Sequence, residues 1–99
     1  MIKYPKQHFK QELIQMTELT ALRNLGKEME RKLKSVEITT AEELKEAGSR
    51  EAFFKLKLRY PEVCLVHLYT LEGAISDTDY NRLPEDVKES LKKFSDNLK

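Results

Sequence analysis

The sequence predicts an all-α fold: a single compact domain of five or six short helices. Three observations carry this expectation. Apolar residues recur at i, i+4 and i+7, the spacing of one helix face, in Phe9/Leu13/Met16, Met29/Leu33/Val36 and Val87/Leu91/Phe94. Residues that start and stop helices fall between the periodic stretches: Gly26, Thr40, Gly48, Pro61 and Pro84. No segment makes a convincing strand.

Pro5 suits a first helical turn, where its missing N–H does no harm. A first amphipathic helix is expected from about Lys6 to Thr17. Leu19 and Leu22 then allow a short helix or a single turn. Leu22-Arg23-Asn24-Leu25-Gly26 follows, with two apolar anchors and, in Asn24 and Gly26, the two residue types that best tolerate positive φ. A tight turn is expected here, and a helix from about Lys27 to Ser35. After the apolar corner at Ile38, Thr40 and Glu43 form a capping box that starts the next helix at Ala41. Turn, helix, corner and capped helix together read as a helix-hairpin-helix-like core.

Gly48 is expected to end the helix from Ala41, and Ser49 to cap another from about Arg50 to Arg59. Ala52, Phe53, Leu56 and Tyr60 give its apolar face, widened by Phe54 and Leu58. Pro61 ends it and opens the next. Residues 62–75 are apolar nearly all round, which predicts the most buried helix. A central strand is the alternative, but the segment is long for one and rich in Leu and Ala. Ser76-Asp77-Thr78-Asp79 reads as a polar loop. Pro84 and the acids Glu85 and Asp86 begin a last helix, which Val87, Leu91, Phe94 and Leu98 dock.

The chain has 99 residues and a formal net charge of +1, which excludes a strongly basic, histone-like nucleic-acid binder. The charge is uneven. Residues 1–36 carry eight basic against four acidic side chains, and residues 61–99 five against eight, so the N-terminal third is the better candidate for an anionic partner. Chance asymmetry of a small helical surface is the plainer explanation. Cys64 is the lone cysteine, which fits a reducing, cytoplasmic setting. No apolar run is long enough for a bilayer, and the N-terminus lacks the apolar region of a secretory signal.

The stretch Leu22-x-Asn24-Leu25-Gly26, then Ile38-Thr39-Thr40 with Leu44 and Gly48, resembles the C-terminal domain of the TfoX/Sxy bacterial competence regulators. Leu68-Tyr69-x-Leu71-Glu72-Gly73-Ala74-Ile75 and Leu83-Pro84 continue the resemblance in the family's order, over about residues 19 to 94. The resemblance implies a helix-hairpin-helix-like (SAM-like) core in residues 19–99. It also implies a role in gene regulation or DNA uptake, and close packing at Gly73. A separate N-terminal domain usually precedes this module in the family. Residues 1–18 are here expected to form an N-terminal amphipathic helical extension that closes the core of this domain, with pairing to a second chain as a homodimer contact the alternative.

Two functional classes follow. Backbone N–H groups of Leu25, Gly26 and Lys27 at a helix start, with Asn24 in the turn and Arg23, Lys27 and Arg31 around them, are candidate ligands for DNA phosphate. Against this, Asn24 stands where the commoner hairpin has Gly, and Glu28 and Glu30 would repel phosphate. The other class is a protein-interaction module, with Tyr4, Phe9 and Tyr80 as candidate contact residues. This class leads, because regulation without strong DNA binding implies a protein partner. Cys64 and His67, at i and i+3, are read as structural, since a metal needs more ligands. Asp77 and Asp79 lack the glycine and distal glutamate of a calcium loop. Catalytic residues, cofactor and metal are each expected to be none.

Overall fold

The computed structural model describes residues 17–98, and these form five α-helices with no strand among them. In chain order they are α1 (Lys27–Ser35), α2 (Ala41–Ala47), α3 (Ser49–Arg59), α4 (Leu65–Ser76) and α5 (Glu85–Asn97). Short 3-10 turns, Leu19–Ala21 and Tyr80–Arg82, precede the hairpin and α5. The expected helix from Lys6, with its candidate pairing role and the side chains Tyr4 and Phe9, lies outside the described residues apart from Thr17.

One core joins all five helices. Leu33, Leu44, Phe53, Leu56, Leu68, Leu71 and Leu91 are fully buried in it, together with Leu19 and Val63 from the connections. Each core residue of α1, α3 and α5 comes from the apolar face that the sequence spacing defines. Thr17 is tied to the start of α2: its N–H and hydroxyl both donate to Glu42, and its carbonyl accepts from the Ala41 N–H.

The connections show why each helix stops where it does. Val36, Glu37 and Ile38 close α1: Glu37 takes φ 70°, its N–H donates to the Lys34 carbonyl, and the Ile38 N–H reaches back to Leu33. This is a Schellman ending, with buried Ile38 packed over the helix it terminates. Thr40 caps α2 as expected, its hydroxyl accepting the Glu43 N–H at 3.1 Å. The reciprocal half of the box differs by one residue, because Glu43 accepts from the N–H and hydroxyl of Thr39.

Gly48 serves both α2 and α3 at φ 88°, ψ 160°, a conformation open essentially to glycine alone. That corrects the expectation for Ser49. Its hydroxyl donates to Glu72 on α4 and does not cap α3. Phe54 and Leu58 are likewise corrected. They do not widen the core face, but stand 42% and 70% exposed on the opposite side of α3.

Pro61 does not open the next helix. Lys57 donates to the Pro61 and Val63 carbonyls and holds residues 60–64 as a turn, so α4 begins at Leu65. Nor is α4 buried all round. Leu68, Leu71, Gly73 and Ala74 face the core, while Val66 is half-exposed.

Candidate functional site: the hairpin and its groove

The turn between Leu22 and Gly26 holds the predicted site. The Leu25 N–H donates to the Leu22 carbonyl at 3.3 Å, and the buried Leu25 side chain anchors the turn in the core. Asn24 takes the left-handed conformation, φ 74°. Gly26 does not: at φ −106° it is the extended N-cap of α1, with open space where a Cβ would stand. One positive-φ residue is enough to reverse the chain.

Asn24 also locks the hairpin to the far end of α4. Its Nδ2 donates to the Thr78 carbonyl at 2.9 Å and to the Thr70 carbonyl at 3.5 Å. Gly73 makes room for this amide, since a Cβ there would run into Asn24 Nδ2 and the Thr78 carbonyl. The close approach expected at Gly73 is real, but it admits a side chain of the hairpin and a loop carbonyl instead of a second helix. Arg23 adds a second clasp, with Nε 3.2 Å from Asp77 and Nη1 3.2 Å from Asp79. Hydrogen bonding to Asp77 and then to Asp79 raises the guanidinium pKa above its ordinary value. Asp77 holds the left-handed C-cap of α4, φ 57°, which aims that loop at the hairpin.

Three of the four cations of α1 are matched in the same way. Arg31 pairs with Glu28, whose carboxyl is held below the usual range chiefly by that hydrogen bond. Lys32 lies 4.0 Å from Glu28 and 3.8 Å from Glu62, over the Tyr60 ring, and Lys34 pairs with Glu30 at 3.7 Å. Lys27 is exposed and has no ion pair among the described residues. Arg23, Lys27, Arg31 and Lys32 thus sit among Glu28, Glu62, Asp77 and Asp79, four charges of each sign. The structure brings all six predicted site residues into one stretch, but it turns Leu25 inward and occupies the side chains of Arg23, Asn24 and Arg31.

Beside the hairpin lies a groove of about 360 Å³ between the start of α1 and the first half of α4. Met29, Val66, His67 and Tyr80 line it together with Asn24 and Gly26. Tyr80, a candidate contact residue, is therefore at an accessible site. His67 is held by Cys64, whose N–H donates to Nδ1 at 3.0 Å, a capping arrangement at the start of α4. Cys64 is exposed at that cap and not a buried apolar residue. No cluster of three or more metal-binding side chains occurs among the described residues.

A small all-helical domain organised around a clasped hairpin is the class that this architecture defines. The chain belongs to the family of the TfoX C-terminal domain, which matches residues 15–95. An uncharacterised protein from Listeria monocytogenes, solved in a triclinic crystal form, is 40% identical, with a TM-score of 0.81. The match covers 83% of this chain and 93% of that one. A protein of unknown function from the same organism, solved in a tetragonal form, is also 40% identical at a TM-score of 0.80, over 83% and 100% of the two chains. No curated protein matches. No described helix is long and apolar enough to cross a membrane.

Proposed function

We propose that the chain is a non-catalytic interaction module of bacterial gene regulation, cytoplasmic, that acts by holding another protein. The charge balance at the hairpin supports this reading. Four carboxylates stand among its four cations, two of them on Arg23, the cation that a phosphate contact would need most. A duplex approaching this tip meets no net positive field, and non-specific DNA binding depends on such a field. Membership of the TfoX C-terminal domain family supports the regulatory side of the proposal and its link to competence.

A second reading, weak sequence-independent DNA binding, has one observation in its favour: α1 starts without a side-chain cap, beside the unpaired Lys27. Fluorescence anisotropy with a labelled duplex and a labelled single strand, at low and physiological salt, separates the two. No binding at low salt is the expected result. Binding that weakens with salt and is lost in Lys27→Ala and Arg31→Ala would establish the DNA reading.

A further inference from the structure

We propose that the outward face of α3 docks an acidic amphipathic helix of a partner protein. The proposal rests on the interaction-module reading and gives its partner a chemistry. Arg50, Phe54 and Leu58 fall at i, i+4 and i+8, one ridge of the helix. Leu58 is 70% exposed, the most exposed large apolar side chain among those described, and Phe54 is its neighbour one turn back. Together they form an apolar step that the described chain leaves open at Leu58 and covers in part at Phe54.

The charge around this step identifies what covers it. The helix carries Arg50, Lys55, Lys57 and Arg59 against Glu51 alone. Elsewhere on the hairpin face cations meet carboxylates, but three of these four have neutral partners. Arg50 donates to the Ser90 hydroxyl, Lys57 to two backbone carbonyls, and Arg59 lies over the Tyr60 ring. Two exposed apolar side chains on a helix where Arg50, Lys57 and Arg59 meet no carboxylate, and only Lys55 is paired, suit a partner of opposite sign with apolar anchors. Anchors one turn apart on a helix ridge match i and i+4 residues of another helix laid along it. Arginine and phenylalanine are residue types that interface centres favour. Nucleic acid suits the face less well, because its most exposed apolar residue, Leu58, offers no ring on which a base could stack, and Lys55 is paired with Glu51. An anionic membrane would need more outward apolar residues than two.

The test is a titration of the full ¹⁵N-labelled chain with a synthetic helical peptide. The peptide carries Leu at i and i+4 flanked by Glu, and a control carries Lys in place of Glu. The expected result is amide shifts clustered at 50–59, binding that weakens with salt, and no binding of the Lys peptide. Leu58→Gln and Arg50→Glu, both at exposed positions, each weaken binding at least tenfold with circular dichroism unchanged. No shift with the Glu peptide up to about 1 mM, the weakest binding worth the name, overturns the proposal. So does equal binding of the Lys peptide, or shifts at 50–59 with duplex DNA or anionic vesicles. Shifts at Val66 and Tyr80 instead would move the site to the groove and leave the interaction-module reading standing. Duplex DNA shifting residues 23–31 would overturn that reading separately.

Discussion

Replacing Gly73 with alanine tests the clasp on which the hairpin depends. Helix propensity alone says that Gly73→Ala, inside α4, stabilises by about 1 kcal/mol. The packing says the reverse. The new Cβ meets Asn24 Nδ2 and the Thr78 carbonyl, and the latter is backbone that cannot rotate away. Overpacking of this kind costs about 1–3 kcal/mol, and displacing the Asn24–Thr78 hydrogen bond costs about 1 kcal/mol more. Net of propensity, the loss is about 1–3 kcal/mol, and Tm falls by roughly 5–20 °C in a domain of this size. Thermal and urea unfolding followed by circular dichroism measure it. Asn24→Gly supplies the control, since it removes the amide but still tolerates φ 74°. In that background Gly73→Ala costs less, by about 1 kcal/mol, because only the Thr78 contact remains. Equal costs in the two backgrounds, or a rise in Tm for Gly73→Ala alone, would refute the reasoning.

Two backbone positions respond in opposite directions. Glu37 is exposed at φ 70°, so Glu37→Gly raises stability by about 0.5–1 kcal/mol. Gly48→Ala, at φ 88° and ψ 160°, lowers it by about 1–3 kcal/mol; urea midpoints check both. The fourth prediction concerns acid. Glu42 and Glu43 are held below the ordinary carboxylate range, first by the backbone N–H groups of Thr17 and Thr39 respectively and then by those residues' hydroxyls. A depressed folded pKa gives stability that is present above the unfolded value, about 4.3, and is lost as pH falls through the folded one. Urea midpoints therefore decline below about pH 4.5, and Glu42→Gln makes that decline shallower.

The apolar spacing of α1, α3 and α5 was legible in the sequence because each buries one stripe and the period reports it. What was not legible depends on partners distant in the chain. The end of α1 has no glycine, because Ile38 folding back over Leu33 holds Glu37 left-handed in its place. The start of α4 has no usual cap residue, since Cys64 and His67 do the work of a Ser–Glu pair. Phe54 and Leu58 read as core because periodicity reports apolarity and not which side of a helix is covered. Around Arg23 the sequence does carry both members of the clasp, a cation in the turn and two aspartates in a loop. Their pairing across 54 and 56 residues appears only in three dimensions.

The two most distinctive stretches of the chain, Leu22–Gly26 and Leu68–Ile75, therefore describe one contact. Asn24 needs the space that Gly73 leaves, and the loop beyond α4 must turn at Asp77 to bring the Thr78 carbonyl to Asn24 and a carboxylate to Arg23. Residues so occupied hold the domain together. They are poorly placed to vary with a partner, because a change at either end costs the clasp. Side chains that can vary at little cost are those the core does not use, and the outward ridge of α3 is made of them. The hairpin motif thus marks the fold of the domain, and the partner chemistry we propose lies on α3, where an apolar step meets cations without carboxylate partners.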